Sequence, residues 1–147
     1  MARALGLDIG NRFVGVALSD ESGLLARPLE VLDRGRSGAD DATVLDRLAA
    51  LAATWRIDRI VAGEPRRTDG RASEQAAQAA AFAARVEARL ALPLHRMNEQ
   101  YSSQEAQAIL GARKTRRQGE QGRDDAVAAA VILQRFLNAE RPESPEE

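Results

Sequence analysis

Apolar residues fill both halves of residues 4–19, ALGLDIGNRFVGVALS, and the break between the halves holds the turn formers Gly10, Asn11 and Arg12. Two strands closed by a tight turn are therefore expected. A third apolar stretch, 24–32, follows Asp20 to Gly23, and Pro28 within it points to an edge strand, because proline cannot donate to a second neighbour. From 40 to 55 the period changes. Val44, Leu45, Leu48, Leu51 and Ala52 recur at three- and four-residue spacing, which predicts an amphipathic helix. Residues 59–63, RIVAG, read as a short buried strand. After a loop over 65–72, Ser73 and Glu74 open a second helix to about residue 90, with Ala76, Ala80, Phe82, Ala83 and Val86 facing inward. Residues 92–98 read as a fifth strand, with Pro93 near its start. Ser102 or Ser103 can cap a helix to about 110, with Glu105 early in it where the dipole favours an acid. The glycine-punctuated run 111–123 reads as a loop, and a final helix is expected over 125–137, with Ala128, Val131, Ile132 and Leu133 as its apolar face.

Three strands, then helices alternating with two more strands, suit an antiparallel meander extended by parallel crossovers. The expected fold is α/β, a mixed five-stranded sheet of order 3-2-1-4-5 with flanking helices. At 147 residues the chain is the size of one domain. That domain is expected over 1–138, with 139–147, rich in Glu and Pro, as a disordered acidic tail.

Composition narrows the chemistry. There is no cysteine and one histidine, His95, so thiolate nucleophiles, disulfides and an imidazole-rich zinc site are excluded. Any metal must be held by oxygens. The lack of a long apolar run predicts no membrane span and a cytoplasmic protein. Net charge is −1, so bulk charge does not announce nucleic acid, yet every basic side chain but Lys114 is arginine, the better phosphate fork.

Asp8 lies inside the otherwise apolar LGLDIG, where an ionised carboxylate without a partner costs several kcal/mol. Glu99 ends the fifth expected strand, and the carboxyl ends of parallel strands can deliver side chains to one crevice. Asp125 opens the last expected helix, where an N-cap is the plainer role. Three carboxylates meeting without histidine or cysteine would suit Mg²⁺ or Mn²⁺. Such ions activate water and stabilise the leaving oxygen of a phosphodiester.

Four stretches, GLDIGNRFVGVALSD, RIVAGEPRRTDG, NEQYSS and DDAVAAAVILQRFL, together resemble the YqgF/RuvX family of Holliday junction resolvases and pre-16S rRNA processing nucleases, over about residues 4–137. The resemblance implies a ribonuclease H-like fold and a metal-dependent nuclease. Its ligands would be Asp8 on the first strand, Glu99 after the fifth, and an acid on the last helix that falls on Asp125 rather than Asp124. The chain departs from the family pattern at Glu64, where leucine is usual, at Asn98, where Asp is usual, and at Gln100, where Arg is usual. Glu64, at the end of the fourth strand, is a candidate fourth ligand that would compensate for Asn98. These departures also keep open a non-cutting member that binds nucleic acid or the ribosome.

Arg113, Lys114, Arg116, Arg117 and Arg123 lead into Asp125 and are candidates to neutralise phosphates, with Arg12 and Arg66 adding to that surface. The partner expected is nucleic acid, either RNA such as the 5′ end of pre-16S rRNA or branched DNA. Cutting a junction needs two active sites and hence a homodimer.

Overall fold

The computed structural model of the chain describes residues 3–64, 70–98 and 121–140, with side chains over 3–63, 76–97 and 125–140. Strands β1 (Arg3–Ile9) and β2 (Phe13–Ser19) form the expected hairpin, with Asp8 opposite Gly15 and Ile9 opposite Val14. β3 (Ala26–Asp33) adds antiparallel to β2. A register shift between Val16 and Ala17 leaves Leu29 extra on β3, next to Pro28. The ladder resumes beyond the bulge, with Leu18 opposite Arg27 and Ser19 opposite Ala26, and the proline is tolerated there because it lies at a bulge on an edge strand.

β4 (Ile57–Glu64) then pairs parallel with β1, and β5 (Leu94–Asn98) parallel with β4, giving the order β3-β2-β1-β4-β5. This is the sheet order expected from the sequence, with β3 and β5 as edges.

Helices cover both faces, which is why β1 and β2 are apolar nearly throughout rather than alternating. On one face Leu5, Leu7, Ile9, Val14, Val16, Leu18, Ile60 and Ala62 pack against α1 (Asp41–Thr54) and α2 (Gly70–Leu90), the latter through Phe82, Ala83 and Val86. On the other, Ala4, Ala17 and Val61 pack against α3 (Gln121–Glu140) through Ala129, Ile132, Leu133 and Leu137. Small residues line this second face, so α3 lies close on the sheet. A Cβ on Gly6 would sit 2.8 Å from Leu133 Cβ and 3.0 Å from the Ala129 carbonyl oxygen.

Three boundaries differ from expectation. α2 begins at Gly70, ahead of Ser73, and α3 begins at Gln121, so Asp125 lies inside that helix and is not its N-cap. α3 also continues beyond residue 137 to Glu140. Its last turn is held from β4, where the Arg59 guanidinium lies over the Phe136 ring and pairs with Glu140. The helix expected over 102–110 lies outside the described residues, as do 111–120. Among the described residues no helix is long and apolar enough to cross a membrane.

Candidate active site

The site is assembled at the carboxyl end of β1. Asp8 alternates with Leu7 and Ile9, which enter the α1–α2 core, so Asp8 shares the α3 face with Ala4 and Gly6. Its antiparallel partner is Gly15. A Cβ on Gly15 would sit 1.9 Å from the Asp125 carbonyl oxygen and 2.8 Å from the Ala126 nitrogen, so the backbone of α3 rests directly on this residue. Asp125 is therefore brought to the strand position opposite Asp8. Along α3, Asp125, Ala129 and Leu133 follow at four-residue spacing, and the last two face the sheet at Gly6. Asp125 continues that sheet-facing row, and both acids are half-buried.

The structure thus lays the α3 backbone at Asp125 on Gly15, the strand partner of Asp8, across a gap that only glycine leaves open. Sequence reasoning did not single out Gly6 and Gly15. The signal was present, because a glycine inside a strand commonly marks close approach of another backbone.

Glu99 follows Asn98, the last residue of β5, and lies outside the described residues. Glu64 is the last residue of β4, opposite Asn98. Of the residues before it, Ile60 and Ala62 pack toward α1 and α2, whereas Val61 packs on the α3 side. Among the described residues no three acids or histidines gather as a metal cage, Glu99 not being one of them. His95 is exposed, its ring tilted against Phe136 at 5.1 Å.

Of the basic candidates, Arg66, Arg113, Lys114, Arg116 and Arg117 lie outside the described residues, and Arg123 falls in the first turn of α3. Arg12, in the β1–β2 turn, donates from Nε and one terminal nitrogen to Asp33 at 2.9 and 3.2 Å. That fork, with the Gly35 N–H also donating to Asp33, holds the Asp33 carboxyl below its ordinary pKa. The hydrogen bond that Arg12 donates to Asp33 likewise raises the pKa of its guanidinium.

A residue not anticipated, Arg34, ties this end of the sheet together. Its Nε and one terminal nitrogen donate to Asp41 at 2.8 and 3.0 Å, the other terminal nitrogen donates to the Gly10 carbonyl at 2.8 Å, and its plane lies over Phe82. Asp41 is thereby the buried acid of α1, and the turn after Asp8 is fixed to α1 and α2.

Comparison with known proteins agrees with this architecture. The family model described as "RuvX: Holliday junction resolvase" matches residues 2–139. A protein of Syntrophus aciditrophicus named "Putative pre-16S rRNA nuclease" is 38% identical over 137 residues, covering 93% of this chain and 89% of its own. One of the same name from Geobacillus kaustophilus is 36% identical over 143 residues, covering 95% and 99%. Among solved structures, Thermus thermophilus RuvC in complex with a Holliday junction superposes with a TM-score of 0.62 at 17% identity over 95% of each chain. The fowlpox virus resolvase with junction DNA gives 0.53 at 10% identity over 93% and 97%. These two likenesses establish a resolvase-type, ribonuclease H-like fold.

Proposed function

Because this chain belongs to the RuvX family of Holliday junction resolvases, we propose that it is a metal-dependent nuclease, cytoplasmic, hydrolysing phosphodiester bonds at a carboxylate site formed by Asp8, Asp125 and Glu99. The observation that carries the proposal is the seating of Asp125 on Gly15, the strand partner of Asp8. Acids contributed by a strand and a helix far apart in sequence, gathered at one end of the sheet, supply the carboxylate oxygens that a divalent cation takes.

The donor set fits a hard divalent ion, Mg²⁺ or Mn²⁺, since it offers carboxylate oxygens and no nitrogen or sulfur. Such an ion, when bound, lowers the pKa of water and stabilises charge on the leaving oxygen. The chain's own part is to hold the acids at fixed separation. β1 positions Asp8 between two residues locked in the core, and α3 positions Asp125 by backbone contact. Glu99, which follows the last residue of β5 in sequence, is assigned as the third ligand, as the family resemblance implies. Glu64, at the end of β4 opposite Asn98, is assigned as a fourth carboxylate that compensates for the charge Asn98 cannot supply. Arg66, Arg113, Lys114, Arg116, Arg117 and Arg123 are assigned to the phosphates of the bound strand.

Given the names of the 36–38% identical relatives, a pre-16S rRNA precursor is the substrate to favour, with junction DNA, which needs a homodimer, as the alternative. A panel of precursor RNA, unstructured RNA and four-way junction DNA, each with Mg²⁺, Mn²⁺ or EDTA, tests this. Metal-dependent cleavage of at least one substrate is expected, and lost with EDTA. Metal-indifferent binding without cleavage of any substrate would instead establish the non-cutting reading that Asn98 and Gln100 suggest.

A further inference from the structure

Beyond the carboxylate site, on the other side of the β1–β2 turn, lies an open cleft of about 620 Å³ between that turn, the loop after β3, and α2. Four arginines line it, Arg12, Arg34, Arg36 and Arg85, against one acid, Asp41. Their pairing separates struts from donors. Arg34 spends its Nε and both terminal nitrogens inside the protein, and Arg12 is forked onto Asp33 at the rim. Arg36 is exposed and makes no ion pair among the described residues. Arg85 reaches the already occupied Asp41 only at 3.4 Å, and its side chain is 54% exposed. Asp40, the remaining nearby acid, is turned against Gly35.

The backbone between these arginines has a second feature. Gly35, Ser37 and Gly38 all have positive φ, 79°, 56° and 77°. For Ser37 this is a strained conformation. The N–H groups of Arg36 and Ser37 have no backbone acceptor among the described residues. Two exposed guanidinium groups, and two N–H groups without a backbone acceptor, therefore belong to residues that line one cleft. The cleft is near the acids as well. Asn11, on its wall, is three residues from Asp8, a separation of at most roughly 10 Å along extended chain.

We propose that this cleft is a second phosphate seat, binding the backbone of a single nucleic-acid strand a few nucleotides from the bond presented to Asp8 and Asp125. This rests on the nuclease reading above. The strand would cross the β1–β2 turn, with phosphates on Arg36 and Arg85 and the bases facing solvent, so the seat reads charge and not sequence.

The test is binding of the full chain, in EDTA, to labelled twelve-nucleotide single strands of RNA and of DNA, across a salt series. Replacing both Arg36→Ala and Arg85→Ala is expected to weaken binding to both strands at least tenfold. The slope of log affinity against log salt should become shallower by about 1.4, since each lost contact on a single strand removes about 0.7. Arg36→Lys with Arg85→Lys should keep the slope. Unchanged affinity and slope in a variant with native melting behaviour overturns the seat, and so does a loss confined to one of the two strands. If the double alanine variant melts early, Arg36→Glu alone, at an exposed position without an ion pair, carries the same reading. Cleavage of the same strands by the unaltered chain with Mn²⁺ separates the two claims. Cleavage with an unaffected variant overturns only the seat, whereas binding loss without any cleavage overturns the nuclease reading and leaves the seat standing.

Discussion

Asp8 and Gly15 face each other across the hairpin and carry opposite kinds of constraint. On the proposed nuclease reading Asp8 is a charge placed in an apolar strand for its chemistry, so Asp8→Asn should remove cleavage while sparing the fold. A ligand loss should exceed the roughly 10–100-fold cost of losing a supporting group. In EDTA the variant's melting temperature should hold or rise, since one member of a repelling carboxylate group is gone. A variant that unfolds, with activity following only the folded fraction, would return Asp8 to a purely structural role. Gly15 is the reverse, a residue needed for what it lacks. Gly15→Ala forces a methyl group into the Asp125 backbone and should cost about 3 kcal/mol or more, at the upper end of overpacking effects. Gly23→Ala is the control, for there a Cβ meets open space and only the positive φ of 74° is strained, about 1–2 kcal/mol. Urea unfolding of the two variants distinguishes crowding from backbone strain.

Between elements, the hairpin turn is held to the end of β3 by Arg12 on Asp33, and to α1 by Arg34 on Asp41. The first of these has a definite pH signature. Asp33 has its carboxyl pKa lowered in the folded protein, by the Arg12 fork first and then by the Gly35 N–H. Folding therefore favours the ionised form. The stabilisation is present above the unfolded value, about 3.9, and is lost as pH falls through the lower folded value. Asp33→Asn should accordingly lower the urea midpoint at pH 7 and at pH 5, with the gap to the unaltered chain closing in stronger acid. Because both partners are about half exposed, 0.5 M salt should narrow the gap. A gap that persists unchanged at the acid limit would mean that Asp33 acts through packing and not through its charge.

For the whole molecule, the sheet, α3 and the acids form one thermodynamic unit, so ion binding should register as global stability. With Mn²⁺ at a hundredfold excess over its dissociation constant, the folded state gains about 2.7 kcal/mol. In a chain of this size that is a rise of roughly 5–10 °C in melting temperature. Calorimetry with and without Mn²⁺ measures it, and an Asp8→Asn, Asp125→Asn variant should show no such rise. An equal rise in that variant would place the ion elsewhere.

Local patterning determined the strands and most helix faces. Leu5, Leu7 and Ile9 alternate, Val44, Leu45 and Leu48 follow a helical period, and Pro28 marks an edge, because each of these signals acts within a few residues. Asp8 and Asp125 stood out as candidates in the sequence too, one as a charge in an apolar strand and the other by its place in a family pattern. Their meeting was decided only by the tertiary structure. It depends on α3 descending onto Gly6 and Gly15, a contact between residues more than a hundred positions apart that no local period encodes. For the same reason the sequence made Asp125 an N-cap. Capping signals describe where an isolated helix could begin, while packing against the sheet extends α3 back to Gln121 and turns the acid into part of its sheet-facing row. The arginine cleft was equally hidden, since Arg34, Arg36 and Arg85 come from a loop and a distant helix, and only the folded chain sorts them into struts whose donors are spent and donors that face solvent.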